Sequence, residues 1–173
     1  MLPEFLKIKM NSWKSAHGKL KMDEVEKAIR KIRNGVFVIT FNLDGQHYGM
    51  TTAWVNRASF KPNILMISIG KNRKGYEELL DAEIFCVNIL GDEHLEIARH
   101  FGFTDGKNMN NFKDIEVKEM EDGSPVLENC VGAIECKLVK KIDAGDHVVL
   151  LGEILNGIIQ DGESMIFDRD EFS

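Results

Sequence analysis

From Val36 to Phe167 the sequence is a succession of short β-branched and aromatic runs closed by glycine-containing turns. This rhythm restricts the fold more than any other feature. Residues 36–43 form one such run, and Asp44-Gly45 follows, a two-residue hairpin signal because glycine accepts the positive φ of a type I′ turn. Residues 46–55 read as the returning strand, 64–69 as a third strand and 84–90 as a fourth. An edge strand is expected over 115–120 and a partly alternating strand over 131–142. After Ala144-Gly145 comes a long strand over 148–159, and after Asp161-Gly162 a last one over 165–167. Helices interrupt rather than alternate. The sequence predicts one from Asp23, as its cap, through about Arg33, a short one near 74–80, and one over 92–101. Many short strands with few helices predict a mainly β fold, a closed antiparallel barrel with helical inserts.

At 173 residues the chain suits one domain over 1–173, with residues 1–22 as a lysine-bearing N-terminal arm. That length buries a sizeable core without disulfides or metals. The formal net charge is -6, which argues against a nucleic-acid partner, since such binders displace counterions with a positive surface. No apolar run approaches the roughly 20 residues that span a bilayer, and the first residues lack an uninterrupted apolar h-region. The cysteines Cys86, Cys130 and Cys136 form no C-x-x-C pair and sit in apolar runs. They read as buried thiols of a reduced, cytoplasmic protein. The five histidines lack metal-ligand spacing, so no metal is assigned.

Residues 49–74 carry the chemistry. Thr51-Thr52-Ala53-Trp54 combines small residues, which let backbone approach a planar ligand, with hydroxyls for ring heteroatoms and an apolar indole wall. A buried strand leads from there to Gly70-Lys71-Asn72-Arg73-Lys74, a basic loop ahead of a predicted helix, suited to an anion. Together they suit a ligand with a flat polar ring at one end and a phosphate at the other. Taken singly, the first segment reads more simply as a strand end and the second as a solvated loop. His147, in Gly145-Asp146-His147 at the mouth of the long strand, is placed to orient a ligand or simply to lie in an exposed turn. Neither a Walker loop nor a G-x-G-x-x-G turn is present, and no nucleophile has an evident paired base.

In order and spacing these pieces, with Ser59-Phe60-Lys61-Pro62, residues 85–90, Gly123-Ser124-Pro125 and residues 145–153, resemble the flavin reductase-like family with the FMN-binding split-barrel fold, nearest its flavoredoxin-type branch. The resemblance spans residues 35–156. It implies a Greek-key antiparallel split barrel, a homodimer, and FMN as cofactor. It places Thr51, Thr52, Ala53 and Trp54, with Asn56, against the isoalloxazine and ribityl chain. Ser68, Gly70, Lys71, Arg73 and Lys74 fall near the ribityl and phosphate, and His147 near the flavin or nicotinamide in a positioning role. Arg73-Lys74 stand where the family usually carries Ser or Thr. The implied activity is an oxidoreductase passing electrons from NAD(P)H to flavin, with an electron-acceptor protein as a possible partner. The alternative is a flavoredoxin-like electron carrier without direct NAD(P)H activity.

Overall fold

The computed structural model describes residues 22–103 and 112–172. The predicted N-terminal arm lies outside these residues, apart from Met22. The chain divides into two compact units, Met1–Arg33 and Asn34–Ser173.

In the first unit, α1 (Met22–Ile29) is shorter than the sequence predicts, and Asp23 falls inside the helix rather than at its cap. Lys31 and Ile32 donate to the carbonyls three residues back, tightening the final turn so that the helix ends before Arg33. Ile29 and Ile32 are exposed.

The second unit is built on β1 (Phe37–Leu43), β2 (Gln46–Thr52), β3 (Val55–Phe60), β4 (Asn63–Gly70), β5 (Ile84–Ile89), β8 (Gly132–Asp143) and β9 (His147–Ile159). They form one antiparallel sheet in the order β2-β1-β5-β8-β9-β4-β3. The chain crosses from β4 to β5 over the positions of β9 and β8, a Greek-key connection that carries α2 (Tyr76–Asp81). β2 and β3 stand at opposite ends of this order, yet only Ala53 and Trp54 separate them in the chain. The sheet must therefore roll until its ends meet at that corner. Hydrogen bonds seal it: Ser68 N–H donates to Trp54 O at 2.9 Å, and Thr52 Oγ1 donates to Ser68 O at 3.1 Å. The result is the predicted antiparallel barrel.

One expectation fails at this corner. Residues 46–55 do not form a single strand, because the Trp54 N–H leaves the ladder and bonds Thr52 Oγ1 at 3.2 Å. A local hydroxyl that offers the backbone a partner favours a turn. The chain then starts β3, which the sequence reading missed: its Asn56, Arg57 and Ala58 are exposed, so an edge strand shows no apolar alternation.

Strand periodicity separates two cores. Ile39, Phe41, Phe85, Val87, Ile67, Ile69 and Leu150 fill the barrel. On the other face of the same strands Val38 and Cys86 join Leu90, Ala98, Phe101 and Leu127 under α3 (Leu95–Phe103) and β7 (Pro125–Leu127), which pairs with β6 (Val117–Glu119). Gly49 permits this close approach, since a Cβ there would run into the Phe101 ring. Buried Asn88 ties the layers together. Its amide donates to Val38 O at 3.0 Å and Thr40 Oγ1 at 2.9 Å and accepts from Leu127 N–H at 2.9 Å, while Thr40 Oγ1 donates to Pro125 O. All three cysteines are buried free thiols. Desolvation pushes the Cys86 thiol far up and that of Cys136 up to about 12, so these groups pack as small hydrophobes.

The predicted final strand at 165–167 is a pair of isolated bridges, Gly35↔Ile166 and Gly91↔Ser164. Three backbone bonds hold it: Met165 N–H to Leu90 O, Phe167 N–H to Asn34 O, and Val36 N–H to Met165 O. It delivers a 3₁₀ turn, Arg169–Phe172, to one end of the barrel.

Candidate functional site

A cavity of about 320 Å³ opens beside the β2–β3 corner. Every residue lining it belongs to the second unit. Of the residues expected at a site, Thr51, Thr52, Ala53, Trp54, Ser68, Gly70, Arg73 and His147 line it together. Asn56, Lys71 and Lys74 do not appear in that lining. Asn56 is exposed on β3, and Lys74 is exposed ahead of α2.

Strand ends make the first wall. Thr51 Oγ1 donates to Ala98 O at 2.7 Å, fixing the end of β2 to α3. Thr52 Oγ1 spends its proton on Ser68 O. Both hydroxyls keep acceptor capacity, so toward a ligand they accept rather than donate. Gly70 pairs with His147 at the last rung of the β4–β9 ladder. A Cβ on Gly70 would lie 2.8 Å from Asn72 Oδ1 and 3.5 Å from His147 Nε2, so a side chain there would crowd both groups.

The imidazole of His147 is oriented from both sides. Its Nδ1 lies 2.8 Å from Asp146 Oδ1, and its ring sits 4.7 Å from the Trp54 ring at a 38° tilt. A carboxylate only accepts, so Nδ1 carries the hydrogen and Nε2 is left as the second polar atom of the ring. The hydrogen bond to His147 holds the Asp146 carboxyl below its ordinary pKa. Trp54, about half exposed, forms an apolar lip.

The basic loop is organised differently from the sequence expectation. α2 starts at Tyr76, two residues later than expected, after Gly75 with φ of 77°. Its first turn carries Glu77 and Glu78, so acidic side chains already complement the helix dipole there. Lys71 Nζ is 2.6 Å from Asp143 Oδ2; the bond raises the lysine pKa and lowers that of the carboxyl. The Arg73 guanidinium reaches the carbonyls at the end of α3, donating to Gly102 O at 2.8 Å and Phe101 O at 3.3 Å, and also to Thr51 O at 3.2 Å. It caps a helix C-terminus and joins it to β2, with three of its donor directions spent. Burial lowers its pKa.

A second wall was not anticipated from sequence. Phe103, Phe167, Arg169 and Phe172 also line the cavity, together with Asn72 and Gly102. Phe172 stacks obliquely on Phe167 at 5.2 Å and stands 6.4 Å from Phe103. The available signal was two phenylalanines flanking a charged segment, Phe167-Asp168-Arg169-Asp170-Glu171-Phe172, which on its own reads as a solvated tail.

Fold and pocket together define an antiparallel split barrel with a cavity at its closing corner. The family model for the flavin reductase like domain matches residues 29–173, and the chain belongs to that family. Among solved structures, the flavin reductase PheA2 superposes with a TM-score of 0.74 at 28% identity, over 84% of this chain and 92% of that one. The NADH:FAD oxidoreductase SgcE6 of Streptomyces globisporus C-1027, solved in complex with NAD and FAD fragments, gives 0.77 at 23% identity over 88% and 90%, a likeness of fold. Putative diflavin flavoprotein A 6 of Nostoc is 30% identical over 148 residues, 84% of this chain and 26% of that protein. The chain spans about a quarter of the length of the curated relatives it matches.

Proposed function

We propose that the protein is an FMN-dependent flavin reductase, taking electrons from NAD(P)H. The observation that carries this reading is the convergence of residues 51–54, the end of β4 and His147 on one cavity, in a chain of the flavin reductase-like family. The residues fit a flavin. The cavity lies within the roughly 300–1,000 Å³ of small-molecule sites. One wall offers small residues and acceptor hydroxyls to a polar ring, and the other offers aromatic surface. Bound FMN supplies a two-electron carrier that the side chains lack. The chain's own part is to hold and orient. Thr51 and Thr52 set the floor, and Trp54 and the phenylalanines exclude water. Asp146 fixes the His147 ring, which positions rather than transfers a proton.

A homodimer belongs to the same proposal. Exposed apolar side chains concentrate on the β8–β9 hairpin at Val139, Ile142, Leu155, Ile158 and Ile159, apolar surface that a second copy would cover. No helix of the described residues is long and apolar enough to cross a membrane. The buried free thiols suit a reducing, cytoplasmic setting.

The test is an absorbance spectrum of the purified protein, release and identification of the chromophore, and stopped-flow mixing with NADH and NADPH. A flavin spectrum that bleaches rapidly with either nucleotide supports a reductase. A flavin that ignores both nucleotides but exchanges electrons with a protein partner supports the carrier reading. A colourless protein with no micromolar affinity for FMN rejects both.

A further inference from the structure

We propose that Asp143 is a positioning residue for the reaction, acting through the β8–β9 turn to hold the His147 imidazole at the cavity. The inference deepens the flavin reading above, on which its kinetic arm rests, and gives Lys71 a task other than meeting a phosphate.

Residues 143–146 are all exposed, so apolar burial does not fix the turn that carries His147. Polar bonds fix it instead. Ala144 N–H donates to His147 O at 3.0 Å and closes the turn, and Lys71 N–H donates to Asp146 O at 2.9 Å. The Asp143 carboxylate staples these two bonds together. Its Oδ1 accepts from Gly145 N–H at 2.9 Å, inside the turn, and its Oδ2 lies 2.6 Å from Lys71 Nζ, on the loop after β4. The Lys71 ammonium first and the Gly145 N–H second draw the carboxyl below its ordinary pKa, so both of its oxygens are engaged. Gly145, at a φ of 92°, lets the backbone wrap back onto that carboxylate. The effect reaches the cavity through Asp146, whose Oδ1 lies 2.8 Å from His147 Nδ1. The Asp146 side chain is 92% exposed, so it orients the imidazole only as well as its own backbone is held. Trp54, 4.7 Å from the imidazole, restrains the ring from the other side. Placing a ligand for reaction tolerates little displacement of the groups around it.

The test uses the full-length protein and two readouts. The first is the imidazole proton spectrum of the flavin-free protein. The His147 signals are identified by their loss in His147→Gln, and they carry a ring-current shift that Trp54→Leu removes. Asp143→Ala is expected to move those signals most of the way to their Trp54→Leu positions. The second is FMN affinity set beside kcat/KM for NAD(P)H. Asp143→Ala is expected to lower kcat/KM about tenfold and FMN affinity by less than about twofold. Asp143→Asn, which keeps an acceptor for Gly145 N–H, is expected to recover part of the signal position and of kcat/KM. Lys71→Met is expected to follow Asp143→Ala, with FMN and riboflavin bound as in the wild type. Asp143 is 75% exposed, so folding survives its substitution. Unmoved His147 signals, moved signals with wild-type kcat/KM, or equal losses of FMN affinity and kcat/KM in Asp143→Ala would overturn the assignment. So would an FMN-selective loss in Lys71→Met, which makes that lysine a phosphate contact. Wild-type protein that binds no FMN, or whose flavin ignores both nucleotides, removes the reductase reading instead, and the flavin-free spectrum still decides whether Asp143 holds the ring.

Discussion

The two walls of the cavity are made in opposite ways. The 51–54 corner is backbone-built: it ends the β1–β2 hairpin, returns into β3 and is bonded across to β4. The far wall is side-chain-built, three phenylalanines and an arginine on the end of α3 and the C-terminal turn, held by ring contacts and a few backbone bonds upstream. A wall fixed by a hydrogen-bonded ladder cannot shift without breaking several bonds at once. A wall of rings on a short turn is far less cooperative. In the flavin reading proposed above, the rigid corner is the part that sets where a ring lies, and the less cooperative tail is the part that adjusts to the ligand.

Arg73 is the joint between the walls, so its removal should have the largest effect. Arg73→Met strands three partly buried carbonyls, those of Thr51, Phe101 and Gly102. A loss of about 3 kcal/mol in urea unfolding and at least tenfold weaker FMN binding are expected. Arg73→Lys restores little of either, because an ammonium cannot fork to three acceptors. Full stability in Arg73→Met would mean that the walls stand independently.

Phe172→Ala thins the tail wall alone. FMN and riboflavin should weaken together, about fivefold, with stability changed by less than about 1 kcal/mol, since the ring is only half-buried. Gly70→Ala tests the corner. The new methyl meets the flexible Asn72 amide before any backbone, so folding should be nearly unaffected while flavin affinity falls two- to threefold through displaced Asn72 and His147.

The smallest effect should come from pH acting on Lys71–Asp143. Lys71 lowers the folded pKa of Asp143, so that contribution is present above the ordinary carboxylate range and disappears as pH falls through the lowered value. Asp143 raises the folded pKa of Lys71, so that contribution is present below the ordinary lysine value and disappears as pH climbs through the raised one. Thermal unfolding should therefore show a flat top near neutrality with shallow falls on both sides, screened by salt because both groups are at the surface. A Lys71→Gln variant with the same profile would remove the pair from the account.

Much of the barrel was legible in the sequence. The β-branched and aromatic runs over residues 36–43 and 84–90 gave β1 and β5 nearly to the residue, and Asp44-Gly45 and Ala144-Gly145 marked two hairpins. Residues 51–54 and His147 were legible as site material because their residue types suit a planar ligand and they sit at strand ends. Other features were not. The predicted strand over 46–55 broke because one threonine hydroxyl captured the Trp54 N–H, a competition that periodicity does not register. Edge strand β3 was missed because Asn56, Arg57 and Ala58 are exposed in succession, so both of its faces meet solvent and no apolar alternation marks it.

The sequence by itself determined the strands, their turns and the small, hydroxylated corner, because those follow from side-chain period, glycine conformation and local hydrogen bonding. Only the tertiary structure decided which charges face the cavity. Lys71 and Arg73 are bound by Asp143 and by carbonyls on α3, groups 72 and roughly 30 residues away. Arg169 and its phenylalanines reach the site because the tail is stitched beside residues 34–36 and 90–91. Electrostatic partners are chosen by distance in space, and chain folding sets that distance with little regard to separation in sequence.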